Sequence, residues 1–171
     1  KGLCGRTRPI HFRGVTTVVA KLFNLAQPDH AYFGQKDAQQ AEVLKRMVKD
    51  LFFNVKLRIM PIVREADGLA KSSRNTYLSK SERAAAVILN SSLETASMLF
   101  KAGERSSQKL VEGVKKLIGD EPMAQIDYVE IYALPGLTPA TEVLTKGQYL
   151  LALAVKFGTT RLIDNVILEV E

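Results

Sequence analysis

The chain has 171 residues, enough for one ordinary domain or two small ones, and its 46% hydrophobic and 25% charged residues suit a soluble protein with a real core. No apolar run approaches the ~20 residues that a membrane span needs, and no signal-peptide pattern opens the sequence, so no membrane partner is expected. The net charge of +6 is uneven: residues 1–63 hold eleven Lys/Arg against four Asp/Glu, whereas residues 64–171 hold thirteen against fourteen. A basic first third can serve an anionic ligand, either nucleotide phosphates or nucleic acid, and composition does not choose between them.

The opening Lys1-Gly2-Leu3-Cys4-Gly5 reads as a loop entered midway, which leads us to expect a fragment or a processed product. Cys4 is the only cysteine, so no internal disulfide forms, and a reducing cytoplasm is the expected setting. Nothing nearby completes a nucleophile–base pair with it. Arg6, Arg8, His11 and Arg13 then cluster around Pro9, either to face an anion or simply to start the first helix.

From Val15, the residues Val18, Val19, Leu22, Phe23 and Ala26 mark one face of a helix that Pro28 stops. His30 to Phe33 suits a short buried strand. Leu44, Met47, Val48 and Leu51 mark a second helix over about 37–52. Val55, Leu57 and Ile59 alternate with Lys56 and Arg58 as a strand does. Helix–strand–helix–strand with short links predicts a parallel α/β sheet, whose further strands are expected upstream. Residues 64–79 are polar and turn-rich and lack a buried stripe, the composition of a mobile lid. A long helix is predicted over 81–101, with Leu89, Leu93, Ala96 and Phe100 on one face. A second follows over 106–118. Three strands close the chain, 126–133, 148–157 and 161–169, the last two around a Gly158-Thr159-Thr160 hairpin turn. The boundary falls near residue 63, separating an α/β segment (1–63) from a small α+β domain (64–171) with an antiparallel sheet.

Two loops have the chemistry of anion sites. Gly34-Gln35-Lys36-Asp37 lies where a strand turns into a helix, the crevice in which α/β sheets bind ligands. Glycine admits a ligand to the backbone, the helix N-terminus favours anions, and Lys36 adds a cation. Asp37 can accept from ribose hydroxyls, or it can serve as an N-cap in a capping box with Gln40. Walker A spacing and G-x-G-x-x-G are both missing. Lys71-Ser72-Ser73-Arg74-Asn75 offers two cations and two hydroxyls to phosphate oxygens, or else is a solvated linker.

Arg8-Pro9-Ile10-His11-Phe12-Arg13-Gly14-Val15-Thr16-Thr17, Phe33-Gly34-Gln35-Lys36-Asp37-Ala38-Gln39-Gln40 and Arg64-Glu65-Ala66-Asp67-Gly68-Leu69-Ala70-Lys71-Ser72-Ser73-Arg74-Asn75 together resemble the pantothenate synthetase (pantoate–β-alanine ligase) family. Gly158-Thr159-Thr160-Arg161-Leu162-Ile163-Asp164-Asn165 agrees with that family's end. The resemblance implies the C-terminal portion of a Rossmann-like nucleotidyltransferase domain followed by a small α+β lid. It implies ATP as substrate, Mg²⁺ on the phosphates, and condensation of pantoate with β-alanine through pantoyl adenylate. It also implies a homodimer. Carried over by residue, Gly34, Gln35, Lys36 and Asp37 form the ATP-binding turn, Lys36 neutralises phosphate charge, and Asp37 holds the ribose. Gln40 bonds pantoate, and the Val63 backbone meets adenine. Lys71, Ser72, Ser73 and Arg74 form a phosphate loop like the K-M-S-K-S loop of class I aminoacyl-tRNA synthetases. Lys36 and Arg74 are the catalytic residues expected here, and no protein metal ligands are expected.

Three points depart from the family pattern. Gln35 stands where the family usually has Glu, and Lys71 where it often has an apolar residue; both positions can act through their backbone. The H-x-G-H signature with the catalytic histidine is not in these residues, and neither His11 nor His30 inherits its role. Residues 1–171 alone are therefore expected to form no pantothenate. The alternatives are a basic RNA-binding module and a non-catalytic fragment of the same fold. The first would want aromatics interleaved with the positive charge, whereas the 7% aromatics here, without Trp, read mostly as core. No nucleic-acid partner is therefore expected.

Overall fold

Apolar residues three and four apart along one face produce the amphipathic helix α1, His11–Ala26. It ends where Gln27 turns left-handed (φ 44°) and donates its N–H back to the Phe23 carbonyl at 2.9 Å. The computed structural model describes Leu3 and residues 10–171, so the readings placed on Cys4, Arg6, Arg8 and Pro9 lie outside the described residues. The chain divides into two units, Lys1–Pro61 and Ile62–Glu171.

In the first unit, strand β1 (His30–Gly34) leads through a 3₁₀ turn (Gln35–Asp37) into α2 (Ala38–Asp50) and then β2 (Lys56–Met60). The two strands pair in parallel from His30↔Lys56 to Gly34↔Met60, so their carboxyl ends finish level. Phe23, Leu44 and Met47 form the core, with Val15, Val19, Ala31, Phe33 and Leu57 packed against it. The Phe23 and Phe53 rings meet edge to face at 5.6 Å. β1 is not the buried strand its aromatic content suggests. His30 and Tyr32 face solvent while Ala31 and Phe33 are half-buried, because among the described residues the helices cover one face only.

In the second unit, helices α3 (Lys80–Ala85), α4 (Ile88–Lys101) and α5 (Ser107–Gly119) precede strands β3 (Ala124–Leu134), β4 (Thr138–Pro139), β5 (Gly147–Phe157) and β6 (Thr160–Val170). The strands form an antiparallel sheet in the order β4-β3-β5-β6, and the short β4 escaped the sequence reading. Leu89, Leu93, Ala96 and Phe100 of α4 and Leu110, Val114 and Ile118 of α5 pack on Tyr149, Leu151, Leu153, Val155 and Phe157 of β5. The helix predicted over 81–101 is two helices. At Ala86–Val87 the N–H groups of Val87 and Leu89 reach back three residues rather than four, tightening the ladder without proline or glycine to announce it. The start also lies earlier than read. Ser79 accepts from the Glu82 N–H (3.2 Å) and its own N–H donates to Glu82 (2.8 Å), a capping box spelled by Ser79-Lys80-Ser81-Glu82. The Glu82 carboxylate also abuts Gly158, whose positive φ of 55° starts the β5–β6 turn; a side chain at Gly158 would run into it.

Candidate functional site

The Gly34–Asp37 turn sits at the carboxyl end of β1, where the parallel pair stops and α2 begins. Gly34 is extended (φ −78°), and a Cβ there would meet nothing within 4 Å. Among the described residues, neither backbone strain nor packing demands glycine at this point. Asp37 precedes α2 without making a side-chain cap, so the capping box with Gln40 does not form. The 3₁₀ turn ahead of α2 puts Asp37 at φ −94°, ψ 53°, outside the extended backbone typical of an N-cap, and its carboxylate faces solvent. Gln35, Lys36 and Gln40 are half-buried. This stretch therefore gathers a cation, a carboxylate and an amide at a helix start, where amide N–H groups and the helix dipole favour an anion.

The second unit carries the other loop. Val63 to Lys71 form a small hairpin: Lys71 N–H donates to the Val63 carbonyl (2.9 Å), Glu65 N–H to Leu69 (2.8 Å) and Gly68 N–H to Glu65 (3.0 Å). Arg64 and Ala70 pair across it. Val63 keeps its side chain 65% exposed. Lys71 takes one lone pair of the Val63 carbonyl and leaves the other. Residues 64–79 carry no buried stripe, yet Leu69 and Ala70 within them are buried, Leu69 in the main core. The sequence hides them as an isolated apolar pair between polar turns, with no period to detect.

Beyond the hairpin, Ser72 caps a 3₁₀ turn (Ser73–Tyr77) by accepting from the Arg74 N–H at 3.2 Å. That bond uses a lone pair of the Ser72 hydroxyl and leaves its proton to donate. Lys71, Ser73 and Arg74 are exposed. Three anchors missed in the sequence hold this segment. Arg64 forks onto Asp164 of β6 (2.6 and 3.0 Å), Arg83 forks onto Asp67 (2.7 and 3.1 Å), and the Asn75 amide donates to the Ala70 carbonyl (3.1 Å). The Arg83 guanidinium beside Asp67 holds that carboxyl below its usual range, aided by the Leu69 N–H and opposed by partial desolvation. The partners of Arg64 and Arg83 lie 100 and 16 residues away, whereas Asn75 reaches back only five.

The histidines stay apart from this chemistry. His11 lies in the first turn of α1 with its ring edge-on to Phe12, and His30 stacks on Tyr32. Arg13 is exposed on α1. Among the described residues, no group of three or more His, Cys, Asp or Glu could hold a metal ion, and no helix is long and apolar enough to cross a membrane.

A family model described as pantoate-beta-alanine ligase matches residues 1–167. A pantothenate synthetase of Pelotomaculum thermopropionicum is 58% identical over 166 residues, which cover 97% of this chain and 58% of that protein. The crystal structure of pantothenate synthetase from Thermus thermophilus matches with a TM-score of 0.88 at 40% identity, covering 96% of this chain and 58% of that one. Pantoate-beta-alanine ligase from Francisella tularensis, solved in complex with beta-gamma ATP and beta-alanine, matches with a TM-score of 0.68 at 30% identity over 97% of this chain and 54% of its own. The chain thus spans somewhat under three-fifths of the length of the curated relatives it matches.

Proposed function

Because the chain belongs to the pantoate–β-alanine ligase family, we propose that it works in the ATP-dependent condensation of pantoate with β-alanine. In the first step a pantoate carboxylate oxygen attacks the α-phosphorus of ATP, the bond to the β-phosphate bridge breaks, and pyrophosphate leaves. In the second, the β-alanine amine attacks the acyl carbon, the acyl–oxygen bond breaks, AMP departs and the amine loses a proton. Little covalent work falls to the protein; positioning and neutralising charge are the demands.

The observation that carries this reading is Gly34 at the end of the parallel pair. Among the described residues nothing crowds a Cβ there, and a glycine at the end of a parallel strand suits close approach of a ligand to the backbone. Lys36 would then face phosphate charge, Asp37 the ribose and Gln40 pantoate. In the second unit, Lys71, Ser72, Ser73 and Arg74 would hold phosphate oxygens, and the Val63 backbone would meet adenine. The Francisella tularensis ligase, crystallised with an ATP compound and beta-alanine, supports this ligand class. Mg²⁺ would ride on ATP's own phosphates and offset their charge. A homodimer and a cytoplasmic setting complete the proposal.

Lys36→Ala in the full protein is expected to slow adenylate formation by ~10²–10³ while pantoate affinity changes little. A contact that strengthens as charge builds is lost from kcat rather than from ground-state binding. The measurement is single-turnover adenylation with ATP and pantoate, and a normal rate in the mutant would defeat the assignment.

A further inference from the structure

We propose that residues 63–71 form a fixed frame for the phosphate loop, with Arg64 and Asp164 as its positioning residues. This inference rests on the phosphate-loop reading of Lys71–Arg74 given above. Asp164 lies on β6 with its side chain only 1% exposed, and its carboxylate takes both arms of the Arg64 fork while also accepting from the Asn165 N–H at 2.8 Å. The same Arg64 guanidinium donates to the Gly68 carbonyl at 3.0 Å, so one side chain closes the hairpin internally and ties it to the sheet. Leu69 presses the far strand of the hairpin into the core, and Ala70 beside it is buried too. Asn75 returns to Ala70, and the 3₁₀ turn packs against β6.

The result is a short suspension. Between the pinned Lys71 amide and the pinned Asn75 side chain lie only Ser72, Ser73 and Arg74. Those three residues and Lys71 are the ones read as phosphate-binding. A buried ion pair contributes little net stability compared with an apolar pair of the same volume. What a bidentate fork adds is direction, since two parallel bonds fix its angle as well as its distance. Gly68 completes the frame. Its φ of 93° places it in the left-handed region, and a Cβ there would come within 2.5 Å of the Asn90 amide nitrogen.

The test compares Arg64→Lys and Asp164→Asn with Asp127→Asn, which opens a different ion pair, Arg161–Asp127, in the same sheet. ATP–pyrophosphate exchange is followed in the full protein, well below the melting temperature of each variant. Arg64→Lys is expected to raise the KM for ATP and slow exchange by ~10–100-fold, as small misplacements of a positioning loop do, while the KM for pantoate holds. Asp127→Asn is expected to lower Tm without moving the KM for ATP. An Arg64→Lys protein with reduced Tm but unchanged ATP kinetics would overturn the proposal, making the pair structural only. Arg74→Ala is run alongside; normal exchange there would sink the phosphate-loop reading and the frame with it. If the Arg64 and Asp164 variants do not fold, amide exchange on the unmodified protein decides. The Glu65, Gly68 and Lys71 amides should be protected without nucleotide, with Ser73 slowing only when ATP is added. Uniform exchange across residues 63–74 would refute the frame.

Discussion

Eight of the eleven residues of β5 are buried, whereas neither β1 nor β2 contains a single buried residue. β5 runs apolar without a break from Tyr149 to Val155, whereas β2 alternates Leu57 and Ile59 with Lys56 and Arg58, so the local pattern already marks β5 for cover on both faces. In the second unit a helical layer and long neighbouring strands on both edges enclose β5. In the first unit, among the described residues, the parallel pair has only each other within its sheet, and large apolar groups stay open, among them Leu25 at 82% and Phe52 at 92% exposure. Burial depth is thus a property of how many layers arrive, and stability should follow depth.

The largest expected effect comes from separating the two. Residues 62–171 expressed alone should melt in one cooperative transition, while residues 1–61 alone should show none, since two short strands and a small core seldom suffice. Calorimetry on each piece makes the comparison, and a sharp transition in 1–61 would break it. Next in size are two matched truncations. Leu151→Ala, in the middle of β5, should cost toward the top of about 2–5 kcal/mol. Leu44→Ala on α2 should fall toward the bottom of that range, because its half-buried neighbours can close the void. Urea melts of both variants in the intact chain would measure the gap, and equal costs would remove it.

The smallest effect sharpens the picture at the surface of the second unit. Asp67 has its folded carboxyl depressed by Arg83, so its contribution is present above the unfolded value of ~3.9 and is lost as pH falls through the lower folded value. Asp67→Asn should therefore flatten the acid limb of the stability curve below about pH 4 and leave neutral stability slightly reduced. A limb of unchanged slope would show that the pair is too solvated to matter.

Much of this was legible in the sequence because it is local. α1, α2 and α5 follow from apolar spacing, the β5–β6 turn from Gly158, and the two candidate loops from glycine, cations and hydroxyls in short runs. What was not legible depended on partners far along the chain. Nothing near Arg64 points to Asp164, and Leu69-Ala70 gives no period to mark it as core. The break at Ala86–Val87 is a change of hydrogen-bond step beside the β-branched pair Val87-Ile88, too weak a signal to mark a helix end in the sequence. Asp37 was legible as a residue but not as a geometry: its spacing from Gln40 spells a box that the 3₁₀ turn prevents.

The contact between Glu82 and Gly158 has a bearing on how this sequence can change over generations. One glutamate seals a helix start and also stands where a side chain of the hairpin would go. Drift at the two positions is therefore not independent. Losing the carboxylate would open room for asparagine or aspartate, which tolerate the left-handed turn, whereas keeping it means that a side chain at position 158 must push the carboxylate out of its capping position. A helix cap in this fold thus weighs on the alphabet available to a distant turn.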